Sequence, residues 1–310
     1  MNRAAVERFL LKAVRSYTYN TPIAKGKHRA YLLALKFCKT LPENMRAETK
    51  DGRRFSVHLK TGMQTTVYFL GEYEKALTEI VKTLLREDDV CLDVGANFGW
   101  YSTLFHKYCG PKGEVHAFEP MPPTFEELRQ NFALLENPPN VFINNLGLGE
   151  KPDELTINLF EGLSSGHASM SNQGRTDAIS YKCKVITLDS YLEEKSVRDV
   201  NFVKVDIEGA EMMFLKGAKK LFEQKTPPIW LMEMALQQTK NFGYTPNDLI
   251  DFMRAQAYYH IYNYDFYKVD EIKNKLVKIE GFEKDDIGAN VICFPRGFYE
   301  DRFKSLQNYL

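Results

Sequence analysis

The sequence predicts an α/β protein built on a doubly wound, mostly parallel sheet. Two observations carry this. The first is the stretch Val90-Cys91-Leu92-Asp93-Val94-Gly95-Ala96-Asn97-Phe98-Gly99-Trp100-Tyr101-Ser102. Its apolar run from Val90 to Val94 holds a single acid, which marks a strand buried on both faces. After Gly99 the apolar residues Trp100, Leu104, Phe105 and Tyr108 move to helical spacing. The second is that strand, turn and helix recur along the chain, with acids at the turns. Asp93, Glu119, Asp206, Glu208 and Glu233 all fall at or just after strand ends. Open α/β sheets bind their ligands beyond those ends.

Taken in order, residues 1–40 read as helical, with Val6, Phe9, Leu10, Ala13, Val14 and Tyr17 on one face. That face is expected to pack on the core. The alternative is a peripheral contact of the N-terminal helix with a membrane surface or a partner. Asp51-Gly52 between two alternating segments signals a hairpin. Thr65 to Leu70 is expected to be a further strand. Glu74 to Arg86 reads as a helix with Ala76, Leu77, Ile80, Val81, Leu84 and Leu85 inward. Residues 1–73 are thus an N-terminal helical and hairpin extension, and 74–310 the ligand-binding domain.

The second strand runs from Gly113 to Glu119. Thr124 is expected to cap a helix that Pro138-Pro139 ends. Val141 to Leu146 is the third strand. Leu155 to Phe160 and Tyr181 to Leu188 read as strands around a small polar segment, Gly162 to Gly174, suited to substrate contacts. Asp189 to Glu194 is a short helix. Phe202 to Glu211 repeats the opening logic, and the helix after it carries Phe214, Leu215, Ala218, Leu221 and Phe222. Ile229 to Met234 is the fifth strand. Thr245-Pro246 starts a helix. His260 to Tyr264 and Asn290 to Phe294 are the last two strands, joined by a Lys/Glu-rich connection.

Composition narrows the partners. Lys+Arg and Asp+Glu both number 41 among 310 residues, so no basic excess supports nucleic-acid binding. Five scattered cysteines, Cys38, Cys91, Cys109, Cys183 and Cys293, have no knuckle spacing, which fits reduced thiols in the cytoplasm. The charged start lacks the apolar core of a signal peptide. No apolar run reaches the roughly 18 residues of a membrane span.

The turn itself has chemical content. Glycines at 95 and 99 are expected to let a ligand approach the backbone, and the following helix offers unpaired N–H groups. Asp-x-Gly-x-x-x-Gly is neither Gly-x-Gly-x-x-Gly nor a phosphate loop. The acid before the first glycine repels a pyrophosphate and suits an ammonium, such as the methionine part of S-adenosylmethionine. Glu119, at the end of the second strand, can accept both ribose hydroxyls of an adenosyl group. The expected donor contacts are Asp93, Gly95, Ala96, Asn97, Gly99, Glu119, Asn145 and Asp206. A hydroxyl acceptor needs a base; the candidates are Asp206, Glu208 and His167. Glu211 suits the helix N-terminus, and Glu233 an ion pair. Trp100, Tyr101 and Trp230 are candidates for a sugar-stacking face. Close carboxylates are also a set that Mg²⁺ or Ca²⁺ would take, but no metal ligand is assigned.

These motifs together resemble the FkbM family of S-adenosylmethionine-dependent methyltransferases. The matching segments are Leu92 to Ser102, Phe118-Glu119-Pro120, Leu188-Asp189 and Lys204 to Glu211, with a weaker match at Tyr68 to Glu74. The likeness spans roughly residues 66–235. It implies a class I methyltransferase (Rossmann-like) fold, usually with seven strands, and O-methylation of sugar, glycan or natural-product hydroxyls. The implied acceptor is a saccharide or small molecule. The alternatives are a Mg²⁺-dependent methyltransferase of small natural-product or phenolic hydroxyls and a non-catalytic protein that binds the donor.

Overall fold

The computed structural model describes residues 3–22, 25–39, 41–42, 44–160, 178–283 and 286–310. Helices α1 (Arg3–Asn20) and α2 (Lys27–Phe37) pack together at the N-terminus. Strands β1 (Met45–Glu48) and β2 (Arg54–Val57) form the expected hairpin around Asp51-Gly52. Then come α3 (Gly62–Leu70) and α4 (Lys75–Leu84), which leads into the central strand β3 (Val90–Val94). The core continues with α5 (Trp100–Cys109), β4 (Glu114–Phe118), α6 (Pro122–Ala133) and β5 (Val141–Asn144).

A small three-stranded sheet follows, of β6 (Gly147–Leu148), β7 (Asp153–Phe160) and β8 (Ala178–Ile186). After α7 (Leu188–Glu194) the chain returns to the main sheet as β9 (Phe202–Val205). Helices α8 (Glu211–Lys216) and α9 (Lys219–Glu223) precede β10 (Ile229–Ala235), α10 (Leu236–Thr239) and α11 (Pro246–Tyr259). The last elements are β11 (Tyr264–Asp270), β12 (Lys275–Ile279), β13 (Gly288–Pro295) and α12 (Glu300–Ser305).

The main sheet runs β12-β11-β13-β10-β9-β3-β4-β5. Its five central and far strands, from β10 to β5, are parallel. Strand β13 inserts antiparallel between β10 and β11. Among the described residues the sheet therefore has eight strands where seven are expected; the extra one is β12, in the Lys/Glu-rich connection. Chain order reverses between β3 and β9, which opens a crevice at their carboxyl ends. One hydrophobic cluster extends from Leu11, Phe55 and Phe69 to Phe105, Phe202 and Ile229, so the N-terminal elements share the core of the sheet.

Several expectations fail locally. Thr65 to Leu70 lies in helix α3, not a strand. Thr61 accepts from Gln64 N–H at its start, and Gly71 ends it with φ 70°. Its run Val67-Tyr68-Phe69 is buried throughout, and such short apolar runs have no diagnostic period. Thr124 is not a cap; α6 begins at Pro122, whose fixed φ suits a first turn. The single helix expected after Glu211 is two, broken at Gly217. A side chain there would lie 2.0 Å from the Gly149 carbonyl oxygen. The sixth strand starts at Tyr264 rather than His260, because α11 runs to Tyr259.

The largest departure is in α1. Its buried residues are Glu7, Leu11 and Thr18, and of the expected inner face Leu10 and Val14 pack partly buried against the core. Val6, Phe9 and Tyr17, expected on the core side, face outward at 43%, 69% and 47% exposure.

Candidate active site

Register brings the acids together. Asp93 on β3 lies beside Ala117 of β4 and Lys204 of β9. Glu119 and Asp206 each stand one residue beyond those strands, flanking the Gly95 turn. Asp206 N–H donates to the Val94 carbonyl at 3.0 Å, and the Gly95 and Ala96 N–H groups donate to the Phe118 carbonyl. Strand pairing thus continues into the turn.

The two glycines also have a packing role. A side chain at Gly95, whose φ is 80°, would lie 1.9 Å from the Asp206 carbonyl oxygen. At Gly99, with φ 97°, it would lie 2.8 Å from Leu128 Cδ1. Both glycines let protein pack closely against the turn. Asn97 adopts φ 51° and its side chain accepts from Phe98 N–H at 2.8 Å, a local bond that suits asparagine to this region.

Glu119 is buried. Its Oε2 accepts Asn97 N–H at 2.9 Å and its Oε1 accepts Met121 N–H at 3.0 Å. Burial outweighs these bonds and pushes its pKa up to about 7. Two acceptor positions of the carboxylate remain, a match to a vicinal diol. Asn145 stands just past β5 and donates to the Glu119 and Pro120 carbonyls at 2.8 and 2.9 Å. It therefore fixes the backbone that carries Glu119.

Asp93 is completely buried and does not face the crevice. Its Oδ2 accepts the Ser102 hydroxyl, and its Oδ1 has no hydrogen bond but lies 3.7 Å from Lys204 Nζ. Burial raises its pKa. Lys204 also donates to the Gly95 carbonyl at 3.0 Å and lies 3.2 Å from Asp206 Oδ2. Burial alone would lower the lysine pKa, but Asp206 and Asp93 hold it above its ordinary range. Asp206 keeps 38% of its side chain exposed, so it is the acid of this group that reaches the crevice. Its burial is overridden by Lys204, which holds it below the usual carboxylate range.

Two further acids adjoin it. Glu233, on β10, hydrogen-bonds Asp206; loss of solvent and the Asp206 charge push it up to about 9. Glu208 sits at φ 55° on the rim, accepts from Gln238 Nε2, and is pushed up to about 7 by desolvation and by Asp206. The Asp206–Glu233 pair therefore holds one proton at neutral pH, while Glu208 is poised to exchange one. The sequence suggests a lysine or arginine partner for Glu233; among the described residues its partner is instead Asp206. Glu211 is buried and its Oε1 accepts Ile207 and Gly209 N–H, so it ties the loop beneath Glu208. Among the described residues no group of three or more His, Cys, Asp and Glu is arranged to hold a metal ion. His167 and the segment Gly162 to Gly174 lie outside the described residues.

Trp230 and Trp100 are core residues. Their indole N–H groups donate to Tyr264 and Thr78 hydroxyls, so neither offers a sugar face. Tyr101 is buried too, its ring 5.5 Å from Lys204 Nζ and its hydroxyl donating to Glu74 at 2.6 Å. Glu74, with φ 42°, brings the chain before α4 to the site, where Asp206 raises its pKa after burial itself. Glu74 and Gln238 reach the site from distant segments with no local sequence signal. For Lys204 a lone lysine inside Phe202-Val203-Lys204-Val205 is the available signal, because a cation in a buried strand implies paired charge.

The family model described as the methyltransferase FkbM domain matches residues 93–260. The chain is 33% identical over 142 residues to the hexuronic acid methyltransferase AglP of Haloferax volcanii, covering 45% of this chain and 55% of that protein. It is 28% identical over 149 residues to Methyltransferase 1 of Beauveria bassiana, covering 42% and 59%. The chain thus spans a little over half the length of these relatives. A solved FkbM methyltransferase from Methylobacillus flagellatus aligns at 16% identity and a TM-score of 0.43, over 69% of this chain and 47% of that one. With the motif at residue 93 and the acids it gathers, this chain belongs to the FkbM methyltransferase family.

Proposed function

We propose that the chain transfers a methyl group from S-adenosylmethionine to a hydroxyl of a sugar or glycoconjugate. The observation that carries the donor is the placement of Glu119 and Asp206 on either side of the Gly95 turn. Glu119 is buried with two acceptor positions unused and its charge poorly compensated, which fits a ribose diol. Asp206 is half-buried, is held anionic by Lys204 and fits an ammonium. When bound, S-adenosylmethionine would supply an electrophilic methyl carbon, its C–S bond breaking in line as the acceptor oxygen bonds to that carbon and S-adenosylhomocysteine leaves.

The chain's own residues have three tasks. Asp93, Ser102 and Lys204 fix the turn from beneath. Glu119 and Asp206 orient the donor, and alignment of this kind supplies much of the acceleration in such a displacement. Glu208 takes the acceptor proton. Its pKa near 7 matches the requirement for a general base at neutral pH, and Gln238 holds it in place. A saccharide acceptor is favoured by the relative that is named a hexuronic acid methyltransferase.

Isothermal calorimetry with S-adenosylmethionine and S-adenosylhomocysteine tests the donor, and transfer of a labelled methyl group to a panel of hexoses, hexuronic acids and oligosaccharides tests the acceptor. Micromolar donor binding and a labelled methyl ether are expected. Donor binding without transfer to any saccharide, but with transfer to phenols, would replace the acceptor class. Absence of donor binding would end the proposal.

A further inference from the structure

The outward stripe of α1 is the starting point. Val6, Phe9, Ala13 and Tyr17 recur at intervals of three and four residues, so they share one side of the helix. All four are exposed, while Glu7, Leu11 and Thr18 face the protein. Helix α2 repeats the arrangement: Tyr31 and Ala34 are buried, while Leu32, Leu33 and Phe37 are exposed at 42%, 57% and 71%. Isolated exposed apolar residues are ordinary, but six large ones on two adjoining helices are not.

Charge is concentrated in the same place. Residues 1–40 hold nine of the 41 lysines and arginines but one of the 41 acids. The segment carries a net +8 and the rest of the chain −8. Arg8, Lys12, Arg29 and Lys36 are exposed, and no carboxylate pairs with them among the described residues. Between α1 and β1 lies a groove of about 420 Å³ whose charged lining is wholly basic: Arg8, Lys12, Arg15 and Arg46. No helix among the described residues is long and apolar enough to cross a membrane.

We propose that α1 and α2 dock the protein on the surface of an anionic phospholipid bilayer. Exposed Phe9, Leu33 and Phe37 would enter the headgroup boundary while the basic side chains and the groove meet lipid phosphates. An amphipathic helix with aromatic and leucine residues beside lysine and arginine has the physical character of an interfacial binder, and basic clusters are drawn to the negative leaflet. Two other occupants fit less well. A second copy would set one +8 surface against another, which like-charge repulsion opposes. A nucleic acid would use the cations but leave the apolar stripe in water.

The test is co-sedimentation of the full chain with vesicles of phosphatidylcholine alone and with about one third phosphatidylglycerol. Binding to the anionic vesicles at least about tenfold stronger than to the neutral ones, falling with added salt, is expected. The double variant Phe9→Glu and Phe37→Glu is expected to lose most of it with an unchanged circular dichroism spectrum. Arg8→Glu with Lys12→Glu should act in the same direction. No binding to anionic vesicles would overturn the proposal. So would full retention by the phenylalanine variant, or tighter binding to an oligonucleotide than to vesicles.

Discussion

Lys204 Nζ and Asp206 Oδ2 lie 3.2 Å apart on the same side of strand β9 and its extension. The same ammonium also faces Asp93, 3.7 Å away and wholly buried. One cation therefore stabilises both the acid that supports the turn and the acid that faces the crevice. Replacing it by an apolar side chain leaves Asp93 charged and unpaired in the interior. Lys204→Met is expected to cost about 3–5 kcal/mol in urea unfolding. Lys204→Arg should cost less, because the charge is kept. A loss near that of a surface pair, about 1 kcal/mol or below, would mean that water reaches Asp93.

Gly95 and Gly99 differ in what an added side chain would meet. Gly95→Ala drives a methyl group into the Asp206 carbonyl, which is backbone and held by pairing with Val94. Gly99→Ala meets the end of the Leu128 side chain, which can turn away. Both positions have positive φ, so both substitutions carry strain. Thermal unfolding should rank Gly95→Ala as the more damaging, by at least about 1 kcal/mol. Equal losses would show that φ alone decides the cost.

Much of this site was legible because its chemistry sits on strand ends. A buried strand, a glycine turn and a helix leave a clear mark, and acids just past the apolar runs locate the crevice. Faces were harder to assign. Periodicity puts Val6, Phe9, Leu10, Ala13, Val14 and Tyr17 on one face of α1, yet Leu10 and Val14 pack against the core while Val6, Phe9 and Tyr17 point to solvent. Glu7 and Thr18 turn inward instead, Thr18 donating to the Phe69 carbonyl and Glu7 accepting from Lys39 N–H. The aromatic residues misled for a related reason. A tryptophan beside a predicted site looks the same in sequence whether its ring stacks on Phe222, as Trp230 does, or on a substrate. Contacts from distant segments, such as Gln238 to Glu208 and Glu74 to Tyr101, leave no local pattern at all.

Glu119 should make donor binding depend on pH. Hydroxyls donating to a carboxylate favour its charged form, so its pKa of about 7 falls in the complex. Donor affinity is then expected to rise between pH 6 and 8 as the free carboxyl ionises, with release of a proton. Calorimetry in buffers of different ionisation enthalpy measures that release. Glu119→Ala should weaken binding by about 1–3 kcal/mol and remove the pH dependence. Unchanged affinity in this variant would place the ribose elsewhere.

Glu208→Gln tests the base. The amide keeps the size of the side chain but cannot take a proton. Donor affinity should remain within about twofold, while turnover falls by about 10²–10⁴. In the unaltered protein the acidic limb of the kcat–pH profile should lie near 7, with activity rising as pH increases. Loss of that limb in the variant is the signature of proton transfer, which a purely structural glutamate would not produce.

Glu233 tests the shared proton. Its pKa is raised from the ordinary 4.5 to about 9 by burial and by Asp206, so the folded protein holds a proton that the unfolded chain has released. Where the folded state binds more protons, stability falls as pH rises. The window runs from the unfolded pKa, about 4.5, to about 9. Glu233→Gln imitates the protonated carboxyl and removes this dependence. Relative to the variant, the unaltered protein should lose thermal stability steadily from pH 5 to pH 9 in the absence of donor. Parallel stability curves across that range would mean that Asp206 and Glu233 are both ionised at neutral pH, and that Lys204 compensates the two charges together.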